Sequence, residues 1–340
     1  MITKYEIDFL SVKDADAILI HFVDDVYGER IIAIDAGRYS DGDIVSSFVE
    51  KYYKRNYIDI AVCTHCDDDH YGGFVKIIEE QIKYPLTGFK INSLWVNDPG
   101  AFVEASDVKY YRSNANVKIE ARSVYTLYDG KNLLELAKQA KVPMRDVFSF
   151  GGAPWSVYNG AVEILGPTLS YYKTLVPNLR HALEPYKSDE DISDDTSMED
   201  GNCISPKLDA VGDDTSMHNQ SSAIIMFSPG DGNKFIFMGD AGRDAFNNML
   251  GSDRNKMQNA LVLKVPHHGS KYNMDSTMIN FINPTIAVVS AESTEKYFSP
   301  LVKNALKRKG VFVYSTMNSG HLWYNHGFEE RVGYTSADMM

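Results

Sequence analysis

THCDDDHYGG, residues 64–73, decides how this chain is read. Six of its ten residues are His, Cys or Asp, and two glycines close it. The plain alternative is a solvated acidic loop, because three consecutive aspartates repel one another and ordinarily face water. The flanks argue otherwise. YIDIAVC (57–63) is a short apolar run with β-branched residues and reads as a buried strand. GGFVKIIEEQIKY (72–84) sets Phe74, Val75, Ile77, Ile78 and Ile82 at roughly helical spacing. The polar cluster therefore sits on a strand-to-helix turn, a place where α/β folds put their chemistry.

The whole chain bounds what that turn can serve. Its 340 residues, 44% hydrophobic and 12% aromatic, suffice for a sizeable core. A formal net charge of −12 argues against a broad nucleic-acid-coating surface, which is basic. It leaves room for an anionic substrate held locally by metal ions. The three cysteines, Cys63, Cys66 and Cys203, offer no disulfide framework and suit a reducing compartment. The N-terminus places Lys4, Glu6 and Asp8 where a signal peptide needs apolar residues, and no run approaches 18 apolar residues. The expectation is a cytoplasmic protein with no membrane span.

YEIDFLSV, DAILIHFV and RIIAIDAG read as strands at the start of the chain. INSLWVND (91–98) reads as another, KNLLELAKQAK (131–141) as an amphipathic helix and SVYNGAVEILGP (156–167) as a hairpin. Residues 186–217 are acidic, Ser-rich and poor in large apolar groups, so they read as a flexible insertion. Within them DDTSM occurs at 194–198 and again at 213–217. Two apolar strands then flank PGDGN, a hairpin signal. ALVLKVPHHGS (260–270) is a further buried strand ending in paired histidines. Residues 327–340 read as a tail. Two strand-rich halves, each followed by helices, predict a four-layer αββα sandwich, although a doubly wound sheet also alternates strands and helices. The prediction is one domain over 1–326.

Asp35, His65, Asp67, Asp69, His70, Asp240, His267 and His268 each lie at the C-terminal end of an apolar strand or in the turn after it. One such histidine is ordinarily structural, and one Gly-Asp is ordinarily a turn. Three such sites, each closing a buried strand, predict a two-metal centre. His65 and Asp67, two residues apart, point the same way from an extended segment. Asp240 has two oxygens and can bridge two cations. Paired ions lower the pKa of a shared water and clamp the attacking and leaving oxygens. Gly72 and Gly73 are expected to let the backbone turn tightly beside the ions.

These residues resemble the second motif of the metallo-β-lactamase fold superfamily, HxHxDHxGG, with Asp67 in place of the middle histidine. The HxDxDHxGG form is similar to that of the ComEC DNA-uptake proteins and their soluble relatives. Other pieces agree in order: FLSVKDADAILI, the Asp35 of IDAG, NQSSAIIMF, MGDA with Asp240, and LKVPHHGSK, over about residues 5–325. The resemblance implies that His65, Asp67 and a bridging Asp240 hold one divalent ion. It implies that Asp69, His70, Asp240 and one of His267 or His268 hold a second. The remaining histidine of the pair donates a proton to the leaving group or binds a substrate oxygen. Asp35 orients a ligand histidine. Ser270 and Lys271 follow the pair, and Lys271 can meet a phosphate as a point charge or be a plain surface lysine.

The chain departs from the pattern in three places. Lys13-Asp14-Ala15-Asp16 stands where the family often has GQGD. The third-motif histidine lacks a clear counterpart: His218 is the best positional candidate, Asn219 an alternative and His181 a weaker choice. Ser299-Pro300 replaces the usual His-Pro. Mixed His and Asp donors move the metal preference from Zn toward Mn or Fe, with Zn and Mg still open. A CxxC reading of Cys63 to Cys66 competes, but no second cysteine pair exists.

The expected activity is hydrolysis of a phosphodiester by metal-activated water, DNA first. The alternatives are a small-nucleotide phosphodiesterase, a thioester or lactone hydrolase, and a catalytically weak sensor or partner subunit docking through 186–217. Arg243, Arg254 and Lys256 are candidates for a basic groove. Tyr71, Trp95, Trp155 and Trp323 are candidates for base stacking.

Overall fold

The computed structural model describes residues 1–102, 131–149, 156–179, 208–291 and 298–340. Strands β1 (Ile2–Phe9), β2 (Ala17–Asp24) and β3 (Gly28–Ala36) form an antiparallel meander. β4 (Tyr57–Ile58) and β6 (Lys90–Ile91) make a separate two-stranded sheet. β5 (Ile60–Val62), β7 (Leu94–Trp95) and β8 (Met144–Arg145) extend the first sheet in parallel beyond β3. The second half contributes β9 (Ser156–Val157), β10 (Val162–Gly166), β11 (Ile224–Phe227), β12 (Phe235–Phe237), β13 (Val262–Lys264), β14 (Ile286–Val289) and β15 (Phe312–Ser315). β16 (Leu322–His326) crosses back to pair with β1. The result is two seven-stranded sheets, ordered β16-β1-β2-β3-β5-β7-β8 and β15-β14-β13-β12-β11-β10-β9.

Alternation along the strands explains why the sheets stack. Tyr5, Ile7 and Phe9 of β1, Ile18, Ile20 and Phe22 of β2, and Ile32 and Ile34 of β3 share one cluster with Ile225, Phe227, Phe235 and Phe237. That cluster is the layer between the sheets, since residues two apart face the same way. The intervening residues Leu19, Ile31 and Ala33 face a second cluster shared with the helix Asp68–Lys83. Ile224, Met226, Ile236 and Leu263 do the same on the other side, beneath helices Ser276–Ile282 and Pro300–Arg308. Both faces of each sheet are covered, so the chain is a four-layer αββα sandwich, as the strand pattern predicts.

β3, β5, β12 and β13 point their C-terminal ends at one edge of the sandwich. Ligands in open α/β sheets bind beyond the carboxyl ends of parallel strands. Asp35 is the penultimate residue of β3, and His65, Asp240 and His267 stand three residues past the ends of β5, β12 and β13.

The structure revises three readings. Gly72 and Gly73 lie inside the helix Asp68–Lys83, not in a turn. Their lack of a side chain lets that helix press on the backbone after β3. A Cβ on Gly73 would stand 2.1 Å from the Ala36 carbonyl oxygen, and one on Gly72 would stand 2.6 Å from the Tyr39 amide nitrogen. Residues 327–340 are not a loose tail. Arg331 donates to both oxygens of buried Asp8, at 2.6 and 2.9 Å, and to Glu6 at 2.7 Å, so it satisfies two carboxylates the strand pattern buries. The stretch 186–217 also divides. Residues 186–207 lie outside the described residues, whereas 208–217 are pinned. Asp213 pairs with Arg243, which also donates to the Val211 carbonyl at 2.7 Å. Ser216 caps the short helix Met217–Gln220 by accepting from the Asn219 amide. The second DDTSM is thus structural, and the first falls outside the described residues.

Candidate metal centre

The Asp35 carboxylate organises the turn after β5. It accepts the Thr64 amide at 2.8 Å, the Thr64 hydroxyl at 2.7 Å and His70 Nδ1 at 2.8 Å. Asp35 adopts a positive φ of 57° to do so, a conformation that costs free energy for a residue with a Cβ. With Nδ1–H donated to Asp35, His70 Nε2 carries its lone pair toward Asp240 Oδ1, 3.4 Å away. His65 Nδ1 lies 3.1 Å from the Thr64 hydroxyl and 3.2 Å from the Ser222 hydroxyl, and its Nε2 faces Asp67 Oδ2 at 3.5 Å. The role the resemblance implies for Asp35 matches this geometry. Asp35→Asn is expected to weaken metal affinity roughly 10- to 100-fold, the usual cost of losing a carboxylate behind a ligand histidine. Calorimetric titration of metal-stripped protein with Zn or Mn reads it directly. Unchanged affinity would mean that Thr64 and the helix hold His70 without help.

The paired histidines divide their work. His268 Nδ1 donates to the Ser290 carbonyl at 2.8 Å, which turns Nε2 toward Asp69 Oδ2 at 3.6 Å. His267 Nδ1 lies 2.9 Å from Asn273 Oδ1 and 3.5 Å from Asp214 Oδ2, and its Nε2 lies 3.7 Å from Asp240 Oδ2. His268 therefore joins Asp69 and His70, while His267 faces the Asp240 carboxylate. Both histidines have positive φ, 46° and 52°, followed by Gly269 at 85°. Phe298 packs against Gly269, and the Ser299 amide donates to the Gly269 carbonyl at 3.1 Å. Ser299, where His-Pro is usual, caps the helix Pro300–Arg308 and braces this turn.

His218, the best positional candidate for a third-motif histidine, has its Nδ1 2.6 Å from Asp67 Oδ1. Asn219 turns to the other side of the group, donating to Asp214 at 2.7 Å with its Nδ2 3.2 Å from His267 Nδ1. His181 lies outside the described residues. Lys271 sits over the Tyr272 ring, 5.2 Å from its centroid, and the Ser270 hydroxyl accepts the Tyr272 amide. Three further site residues escaped the sequence reading. Asp214 holds His267, Asn219 and Asn273 together, although it falls in the stretch read as an insertion. Asp16 pairs with Lys264, both fully buried, and its Oδ1 lies 3.8 Å from His268 Nδ1. The Asp at the end of KDAD, set against the Lys of LKVPHH, was the available signal.

Among the described residues, three groups of donor atoms overlap at His70, namely His65, His70 and Asp240, then Asp69, His70 and His268, then Asp16, Asp35 and His70, while Cys66, Asp67 and His218 gather beside them. Within each, the ligand atoms lie within 4.8 Å of one another. His65 Nε2, His70 Nε2 and Asp240 Oδ1 are buried without a hydrogen-bond partner. Such atoms cost about 1–3 kcal/mol each unless something else satisfies them, and a divalent ion fits. The local field agrees. Burial disfavours the His70 imidazolium, but Asp240, Asp35 and Asp69 outweigh it and raise its pKa well above the ordinary value. Burial raises the Asp240 carboxyl, yet His70 and His267 outweigh it and hold it well below the usual range. Charges that draw protons onto ring nitrogens also draw cations.

Among the described residues the candidate basic groove and stacking platform do not form. Arg243 is paired with Asp213, Arg254 lies over the Phe246 and Phe281 rings, and Lys256 donates to Glu163 at 2.6 Å. Tyr71 and Trp95 are core residues, Trp323 donates to Glu6 at 2.7 Å, and Trp155 lies outside the described residues.

No family model matches the chain. ComE operon protein 3 of Bacillus subtilis is 30% identical over 122 residues, which are 35% of this chain and 15% of that protein. The chain therefore spans a small part of that relative. Among solved structures it is similar to the metallo-β-lactamase fold protein YhfI from Bacillus subtilis, at 9% identity over 95% of this chain and 100% of that one, with a TM-score of 0.46. The metallo hydrolase Igni18 from Ignicoccus hospitalis gives 12% identity, 96% and 100% coverage and a TM-score of 0.43. The long form of RNase Z from yeast gives 15%, 85% and 37% coverage and 0.38. Among the described residues no helix is long and apolar enough to cross a membrane.

Proposed function

From the premise that this chain has the αββα sandwich of the metallo-β-lactamase fold, we propose that it is a metal-dependent hydrolase cleaving phosphodiesters, DNA first. The observation that carries this reading is the convergence of His65, His70, Asp240, Asp69 and His268 on adjoining positions, with buried ligand atoms aimed inward. Two divalent ions held there supply an activated water and a clamp on the phosphoryl oxygens. They also supply the positive charge that a chain of net charge −12 otherwise lacks for an anionic substrate. Asp240, grouped with His65 and His70, would be the carboxylate shared between the ions. His267, backed by Asp214, holds a proton at the rim where a leaving oxygen departs. Arg38, half exposed, is a cation beside the group, 3.1 Å from Asp68 and 3.8 Å from Asp69. The DNA preference rests on the resemblance of the HxDxDHxGG and LKVPHHGS motifs to the ComEC subgroup.

The test is cleavage by metal-stripped protein reloaded with Mn, Zn, Fe or Mg. The substrates are single- and double-stranded DNA, RNA, cyclic dinucleotides and chromogenic phosphodiester and ester compounds. Metal-dependent cleavage of DNA is the expected result. Turnover confined to cyclic dinucleotides would move the substrate to small nucleotides, and turnover confined to the ester would move it to thioesters or lactones. Bound ions with no turnover on any substrate would overturn the enzyme reading and favour a partner subunit, with 186–207 as its docking segment.

A further inference from the structure

We infer that Asn273 is a positioning residue that fixes which ring nitrogen of His267 faces the reacting atoms. What that nitrogen does rests on the hydrolase reading, whereas the place of the ring proton does not. Asn273 lies in the loop between the paired histidines and the helix Ser276–Ile282, and it is fully buried. Its amide nitrogen donates twice, to Asp214 Oδ2 at 2.6 Å and to the Asp240 carbonyl at 2.9 Å. Its carbonyl oxygen lies 2.9 Å from His267 Nδ1.

These three contacts allow one arrangement. A side-chain amide has both donors on nitrogen and only lone pairs on oxygen. Turned over, Asn273 would set its oxygen against a carboxylate and a backbone carbonyl, with no hydrogen between them. The nitrogen therefore stays on Asp214 and Asp240, and the oxygen requires a donor from His267. The ring hydrogen is thus assigned to Nδ1 by the network. Asn219 is the competitor, since its Nδ2 lies 3.2 Å from His267 Nδ1 and would donate to it in the other tautomer. Asn273 is nearer, and Asn219 already donates to Asp214 at 2.7 Å. Asp214 Oδ2, 3.5 Å from Nδ1, is too distant to set the tautomer itself. With Nδ1–H committed to Asn273, Nε2 keeps its lone pair, 3.7 Å from Asp240 Oδ2. It is then the one atom of His267 that can meet a cation or carry a proton to a leaving oxygen. The bond from Asn273 to the Asp240 carbonyl ties both residues to the same loop.

The test is long-range proton–nitrogen NMR of the metal-stripped full chain, isotope-labelled in its histidine ring nitrogens, at a pH well above the usual histidine pKa. His267→Gln identifies the His267 signals by their loss. The expected wild-type pattern is hydrogen on Nδ1 and none on Nε2. In Asn273→Leu, Asn219 becomes the nearest ring partner, so hydrogen should appear on Nε2. The same variant should lower kcat roughly 10- to 100-fold on the best substrate, with KM little changed. Should Asn273→Leu fail to fold, Asp214→Asn decides, because an amide there can donate to Asn273 and let it turn over. Hydrogen on Nε2 in the wild type, or the wild-type pattern retained in the folded variant, would overturn the proposal. Absent turnover with the expected NMR pattern would instead sink the hydrolase reading and leave the tautomer assignment standing.

Discussion

Asp69→Ala should lower kcat/KM on the best phosphodiester on the order of 10³-fold, with the fold intact. Losing a group behind a metal ligand already costs about 10- to 100-fold, and a direct ligand costs more. A 10³-fold loss is about 4 kcal/mol of transition-state stabilisation. Asp69 Oδ2 lies 3.6 Å from His268 Nε2 and Oδ1 lies 3.9 Å from His70 Nε2, so its removal opens the group that those three residues form. Little else leans on the side chain. Asp69 occupies the first turn of the helix Asp68–Lys83, where alanine is an excellent helix former and the lost charge–dipole attraction is worth about 0.3–1 kcal/mol. Its main-chain carbonyl, which accepts the Asp16 amide at 3.2 Å, is retained. Urea unfolding should therefore change little while turnover collapses. Turnover within tenfold of wild type would sink the assignment of Asp69.

Lys264→Met should produce the larger effect on stability. The Lys264 ammonium is fully buried and hydrogen-bonded to the Asp16 carboxylate, which is also buried. Breaking such a pair from one side costs about 3–5 kcal/mol, because the remaining charge is left without compensation. For a chain of this size that corresponds to a Tm lower by roughly 4–7 °C. Asp16→Asn combined with Lys264→Met removes the stranded charge and should recover much of the loss. Metal binding should weaken as well, since Asp16 Oδ1 lies 3.8 Å from His268 Nδ1. A shift below about 1 kcal/mol in the single variant would mean that Asp16 is neutralised by other means.

The sequence by itself determined that the sheets are covered on both faces and that His and Asp gather at their strand ends, while the stacking of two sheets, in place of one doubly wound sheet, was decided by the tertiary structure. Alternating β1, β2 and β3, with apolar residues on both faces, permit only sheets covered on both sides. A run of His and Asp between a buried strand and a helix has few uses other than binding metal. Local spacing also placed Asp35, Asp240 and the histidine pair at strand ends. What it left open needed partners distant in the chain. The partner of His218 is Asp67, 151 residues away, and that of Lys264 is Asp16, 248 residues away. His268 rather than His267 was turned to Asp69 by the Ser290 carbonyl after β14. Asp214 looked like part of a solvated acidic run until Asn219 and Asn273 gave its carboxylate donors. Composition shows that a segment is polar, and local spacing shows which residues share a face. Only the register of two packed sheets shows which polar groups from separate strand ends come within bonding distance.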